Sequence, residues 1–283
     1  MKIYSSVITG SLKIKGDIEA ENYITKTTVT SMTQSFSSGS TIFGDSGDDT
    51  HQFTGSLFIS GSRIDFVDGK SGTKLGKDAG LNTGTGTENT YIGNQAGKGG
   101  SGNDAYNTGI GSFALHAITD GNSNVAVGID VGTALTTGDN NMLIGRQAGN
   151  TMTGTSNTIL IGYGAGTDIN STGADGTVAI GYQAGANITS GTGNTAIGFD
   201  AMKNLVTGAG NVAIGYEAGE GFENAETGNV AIGFEAMALA DEGTGGGSTD
   251  HNIAIGYQAL TMGDVASNDR NRQGNIAIGG FAL

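Results

Sequence analysis

Three histidines, His51, His116 and His251, are the side chains of this chain best suited to move a proton or ligate a metal near neutral pH. None shares a short motif with a second histidine, so zinc-ligand spacing is absent. Cysteine is missing, which removes a thiolate nucleophile, and no Gly-x-Ser-x-Gly string sets a serine on a nucleophile elbow. No Gly-x-x-x-x-Gly-Lys-Ser/Thr phosphate loop occurs among the many Gly-rich strings. The acidic pairs Asp48-Asp49 and Asp241-Glu242 lie in Gly-rich stretches and read as solvated turn residues rather than paired catalytic carboxylates. The calcium-binding Gly-Gly-x-Gly-x-Asp nonapeptide does not recur. The chain is therefore expected not to be an enzyme, with no catalytic, metal or cofactor-binding residues. His116, in Ala114-Leu-His-Ala-Ile118, is the one catalytic candidate inside the regular part of the sequence.

That regular part is a phrase, Asn-x-Ala-Ile-Gly-aromatic-x-Ala, clearest at Asn194–Met202, Asn211–Gly219, Asn229–Met237 and Asn252–Leu260. Its glycines are Gly76, Gly93, Gly111, Gly128, Gly145, Gly162, Gly181, Gly198, Gly215, Gly233, Gly256 and Gly279. They are spaced by 17, 18, 17, 17, 17, 19, 17, 17, 18, 23 and 23 residues. Twelve copies at a near-constant period predict a solenoid, one supersecondary unit stacked on itself. At about 4.8 Å per stacked coil, its eleven intervals would extend on the order of 50 Å.

Each column of the repeat has an expected role. The glycines permit a corner backbone angle or close packing of coils. The asparagines (Asn89, Asn107, Asn124, Asn141, Asn194, Asn211, Asn229, Asn252, Asn275) form a stacked amide ladder at a turn. Tyr163, Tyr182, Phe199, Tyr216, Phe234 and Tyr257 form an aromatic stripe that covers a coil edge, or contacts glycan if its ring faces are open. In a strand such as Ala196-Ile197, neighbours point to opposite faces and both are apolar, so both faces call for cover. Either the Ile column fills the coil and the Ala column meets another chain, or the reverse. Both arrangements predict a homotrimer or another parallel bundle; the alternative is a flat monomeric solenoid with a small-residue face. The long connectors Ala238–His251 and Thr261–Gly274 become loops on one face, as contact surface or solvated spacer.

Residues 1–71 form a separate region. Ile8–Gly16 and Phe53–Gly61 duplicate one another, each alternating apolar and polar residues after a Gly-Ser turn, which signals short strands. We assign 1–71 as a β-rich joining segment and 72–283 as the repeat solenoid. The chain has 283 residues with 53 Gly and no Pro, so collagen is excluded. The phase kept by Ile-Gly-x-x-Ala argues against a disordered linker. The net charge of −14 opposes binding to nucleic acid. No apolar stretch reaches the roughly 18 residues of a membrane span, and the start has no signal-peptide core, so synthesis in a cytoplasm is expected.

With these phrases laid out, three resemblances can be stated. Ile-Gly-x-x-Ala resembles a hexad of the left-handed β-helix acyltransferases, which would give His116 a role in acyl transfer. Each coil here has one good hexad rather than three, which makes this a remote alternative. Asn-x-Ala-Ile-Gly-x-x-Ala is similar to the left-handed β-roll head of trimeric autotransporter adhesins, without their stalk and anchor and with a longer period. It most resembles the Gly-Asn-Thr-Ala-Ile-Gly-Tyr-Gln-Ala-Leu repeats of tail-fibre-like phage structural proteins, marine and cyanobacterial ones in particular. Gly10–Tyr23 and Gly39–Leu57 also look like segments of such virion proteins.

The resemblance implies an all-β, left-handed parallel β-roll or β-solenoid of about twelve 17–23-residue coils in an intertwined homotrimer. It implies a virion fibre or appendage that contacts a host surface, through glycan or otherwise, or another fibre protein. A self-assembling filament or capsid-decoration subunit without a receptor is the alternative. Other virion proteins would join at the N-terminal segment and at the C-terminal coil, where the sequence stops inside a phrase at Phe281-Ala-Leu283.

Overall fold

The computed structural model describes residues 72–100, 102–239, 249–261 and 272–282. The strands expected within 1–71 and most of both long connectors lie outside them. The chain divides into two compact units, Met1–Gly61 and Ser62–Leu283, and the described residues belong to the second.

That unit is an all-β parallel solenoid. Its strands are β1 (Thr73–Leu75), β2 (Thr90–Ile92), β3 (Thr108–Ile110), β4 (Val125–Val127), β5 (Met142–Ile144), β6 (Ile159–Ile161) and β7 (Val178–Ile180). They continue with β8 (Thr195–Ile197), β9 (Val212–Ile214), β10 (Val230–Ile232), β11 (Thr249–Asp250), β12 (Ile253–Ile255), β13 (Arg272–Gln273) and β14 (Ile276–Ile278). Twelve of them, all but β11 and β13, stack in chain order as one parallel sheet. Register is kept phrase on phrase: Ala196 pairs with Ala213, Ala213 with Ala231 and Ala231 with Ala254. A single 3-10 turn, Thr172–Ala174, is the only helix among the described residues. The strands of this twelve-stranded sheet are three residues long because Gly ends each one in a region of backbone space that L side chains rarely enter, as at Gly198 with φ +142°.

The face question left open by the sequence is answered in favour of Ala inside. Ala126, Ala179, Ala196, Ala213, Ala231 and Ala254 are fully buried. The residues on either side of them, such as Val212 and Ile214, lie partly open on the outer face. Coil volume explains this. In these coils the rest of the chain contributes Leu135, Ile188, Leu205 and Phe222, all fully buried, so the strand has room only for a small residue. Where the strand residue is larger, a glycine makes space: a Cβ on Gly97 would lie 2.3 Å from the Tyr91 ring, and one on Gly132 would lie 2.8 Å from Leu143. Leu115, Met202, Met237 and Leu260 occupy that same glycine position only where the strand supplies Gly109 or an alanine.

Two further columns lock coil to coil. A Cβ on Gly198 would stand 2.1 Å from the Gly215 carbonyl oxygen, and one on Gly111 would stand 2.0 Å from that of Gly128. The corner glycines thus serve both expected purposes, backbone angle and close approach. The asparagines form the amide ladder: Asn211 N–H donates to Asn194 Oδ1 at 3.0 Å, and Asn229 N–H donates to Asn211 Oδ1 at 2.9 Å. Each Nδ2 also closes its own coil, as Asn194 does on the Gly208 carbonyl at 2.7 Å and Asn124 on that of Gly138 at 2.8 Å. Thr158 and Thr177 replace asparagine in two coils; the Thr158 hydroxyl still donates to Asn141 Oδ1 at 2.7 Å.

Candidate functional site: the outer face and its aromatic ladder

The side chains that follow the corner glycines come together as a continuous ladder. Tyr163, Tyr182, Phe199, Tyr216, Phe234 and Tyr257 stack with centroids 5.4, 4.9, 5.1, 4.9 and 5.3 Å apart. Their planes tilt by only 6–10° from one another. The geometry follows from the fold, since an in-register parallel sheet repeats each outward position at the inter-strand spacing. Each of the six rings is about 40–48% exposed.

Exposure at that spacing means ring edges, because each face is covered by the next ring. A sugar has no open face to lie on within the ladder and would meet only edges and the hydroxyls of Tyr163, Tyr182, Tyr216 and Tyr257. The ends are occupied as well. The Arg146 guanidinium sits 5.8 Å from the Tyr163 centroid, a cation over the ring. Phe281 meets Tyr257 edge-on, with centroids 5.1 Å apart. Hydrogen bonding to Glu217, more than burial, pushes the Tyr216 phenol above its ordinary pKa.

Beside the ladder, across the corner glycine, runs the outer face of the sheet. It carries two largely apolar columns: Val125, Met142, Ile159, Val178, Thr195, Val212 and Val230 in one, where Thr195 is the polar member, and the Ile column through Ile197, Ile214 and Ile232 in the other. Met142, Ile159 and Ile255 are each more than a third exposed. A shallow depression of about 390 Å³ opens on this face, lined by Val125, Met142 and Ile159 with the edge residues Ser123, Asn140 and Asn157.

The remaining candidates do not assemble into a reactive site. His116 lies beside Phe113, with ring centroids 5.5 Å apart, and burial followed by the charge of Lys98 lowers its pKa. Among the described residues no three His, Cys, Asp or Glu side chains converge as a metal site. No described helix is long and apolar enough to cross a membrane.

Two features escaped the sequence reading. Tyr91 takes the inward strand position of the second coil, and its hydroxyl donates to Asp104 Oδ2 at 2.6 Å. Asn89 Nδ2 donates to the same oxygen at 3.0 Å. Burial, more than any neighbouring charge, raises the pKa of both the Tyr91 phenol and the Asp104 carboxyl. The signal was available, since an aromatic stands in a column that small or aliphatic residues hold from Gly109 onward. The second feature is a two-stranded parallel ladder, Thr249 with Arg272 and Asp250 with Gln273, that joins the two long connectors. The equal spacings of 23 residues at those two coils were its clue.

No family model matches the chain, and no curated protein or solved structure matches it.

Proposed function

We propose that this chain is a non-enzymatic structural component of a virion, part of a phage fibre or appendage. In this reading it associates as a homotrimer and contacts a host surface or another fibre protein. The observation that carries the reading is the outer face: an aliphatic column runs from Leu75 to Ile278 along the sheet, beside a second column that is apolar except at Thr73, Thr90, Thr108 and Thr195, while the interior is already filled by alanine and the opposite wall. An apolar strip of that length is normally covered, and a second copy of a repeat protein presents the same period to it. The resemblance of the phrases to tail-fibre-like repeats supports the virion setting. A rod that multiplies weak contacts over three chains and many particles gains attachment strength by avidity.

The test is molar mass by light scattering on the full chain. Three chains are expected for the native protein and one for Ile197→Glu/Ile214→Glu, which charges the outer face without touching the core. A native monomer would refute the trimeric fibre. Long polymers would favour the filament subunit instead.

A further inference from the structure

The ladder does not run through neutral surroundings. Two residues past each corner glycine stands a column in the left-handed region, with Gln183, Asp200, Glu217, Glu235 and Gln258 at φ 49–52°. Three consecutive members are carboxylates, beside Phe199, Tyr216 and Phe234, and Glu220 adds a fourth. The described coils here supply one nearby cation, Lys203, paired with Asp200 Oδ2 at 3.0 Å. Asp200 is 8% exposed, and its second oxygen, Oδ1, is buried without a hydrogen-bond partner. Burial first, and then the charges of Glu217, Asp200 and Glu235, raises the pKa of Glu220. Gln258 Nε2 donates to Glu235 Oε2 at 2.5 Å, so an amide already answers one member of the column.

In the coils without rings the same column reads Asp78, Gln95, Phe113, Asp130 and Gln147, with two carboxylates on coils that are not adjacent. Acids on consecutive coils therefore occur only within the ladder, on three of its six coils. The chain also shows how a cation meets the ladder, through the guanidinium of Arg146 over Tyr163.

We propose that the ladder and the Asp200–Glu217–Glu235 column together form a docking strip for an extended polypeptide segment bearing regularly spaced arginine or lysine. Charge complementarity selects the occupant. A guanidinium can fork onto every second carboxylate while its stem covers the ring edges. Two ladder steps, 4.9 and 5.1 Å, match the rise of about 9 Å over three residues of an extended polyproline-II segment, whose every third side chain points the same way. A glycan would need ring faces that the stack closes, and nucleic acid would be repelled by the carboxylates.

The test uses the full chain and a fluorescein-labelled (Arg-Gly-Ser)4 peptide, read by fluorescence anisotropy. Saturable binding is expected. Glu217→Gln/Glu235→Gln should weaken it about tenfold or more, since it removes a charge-assisted contact from either register of the peptide on the column. Asp78→Asn/Asp130→Asn makes the same charge change in the same column of ring-free coils, and should alter affinity less than about twofold, as distant screened charges do. Phe199→Ser/Tyr216→Ser should weaken binding as well. If the Gln double variant fails to fold, Glu217→Gln alone carries the test, with an expected loss of about threefold.

Equal losses from the two charge-matched pairs would reduce the effect to net charge and overturn the proposal, as would absence of saturable binding. So would binding of maltohexaose, abolished by Tyr216→Ser, in place of the peptide. The inference goes beyond the fibre reading and is separable from it. A trimer that ignores the peptide loses the strip alone, and a monomer that binds it loses the trimer alone.

Discussion

The coils that begin with β2 to β5 and those that begin with β6 to β12 share one interior and differ at one outward position. Both sets carry the corner glycine and the buried second alanine or its equivalent, from Ala96 and Ala114 to Ala236 and Ala259. The position after the glycine is Asn94, Ser112, Ile129 and Arg146 in the first set. In the second it is Tyr163, Tyr182, Phe199, Tyr216, Phe234 and Tyr257. The first set closes its coils and keeps the same register without a ring. The aromatic ladder is therefore no requirement of the fold. Glycine, asparagine and alanine answer the geometry of a coil, while the rings answer something outside it.

If that division is right, breaking the shared interior must damage both sets alike, and by the largest amounts. Gly111→Ala and Gly198→Ala each drive a Cβ into the carbonyl of the next coil. Each should cost more than about 4 kcal/mol, seen as loss of the cooperative far-UV melting transition. Gly279→Ala sharpens the point. It has φ +123° but nothing within 4 Å of its Cβ, so only backbone strain of about 1–3 kcal/mol remains. Equal damage at Gly198 and Gly279 would mean that backbone angle alone, and not the stacked carbonyl, fixes the glycine.

The amide ladder should come next. Asn124→Ala and Asn211→Ala each strand the buried N–H of the following asparagine and a carbonyl across the coil. Each should cost about 2–4 kcal/mol by urea unfolding, in either set of coils. Asn211→Thr should cost roughly half as much, since Thr158 holds the equivalent place and keeps a bond to Asn141 Oδ1. A threonine variant no better than alanine would show that the threonine coils depend on local repacking.

How much of this was legible depends on what repetition can report. Recurrence at fixed spacing reveals columns, so the glycine corners, the asparagine ladder and the aromatic stripe could be read before any coordinates. It does not say which way a column faces when two neighbours, Ala196 and Ile197, are both apolar. That was decided by Leu205 and Phe222 on the opposite wall, whose positions vary from coil to coil. Tyr91 was hidden because it breaks its column, and its partner Asp104 lies in the connector rather than in the phrase. The ladder's closed ring faces follow from the stacking distances and tilts, which sequence spacing does not contain.

The first coils also carry a buried titrating pair, Asp104 with Tyr91. Asp104 is fully buried beside Tyr91, and burial raises its pKa above the ordinary 3.8. A raised folded-state pKa means that the folded chain holds the proton more tightly than the unfolded chain. The contribution from Asp104 is therefore full below about pH 3.8, declines as pH rises through the folded value, and is constant above it. Asp104→Asn stays neutral and still accepts the Tyr91 proton. The difference in urea midpoint between the variant and the native chain should accordingly grow in favour of the variant across that window. A difference that does not change with pH would remove the buried carboxylate from the account.

The smallest expected effect probes the comparison most directly, because it turns a ringed coil into a ring-free one. Phe199→Ser copies Ser112 and removes two stacked contacts, with Tyr182 at 4.9 Å and Tyr216 at 5.1 Å. Each such contact contributes about 0.5–1.5 kcal/mol beyond simple burial, and the partly exposed ring here places the loss at about 1 kcal/mol. The melting transition should fall slightly and remain cooperative, with the far-UV spectrum unchanged. A loss as large as that from Asn211→Ala would show that the later coils lean on their rings. Folding would then explain the ladder, and its place on a binding surface would have to be argued from the carboxylates alone.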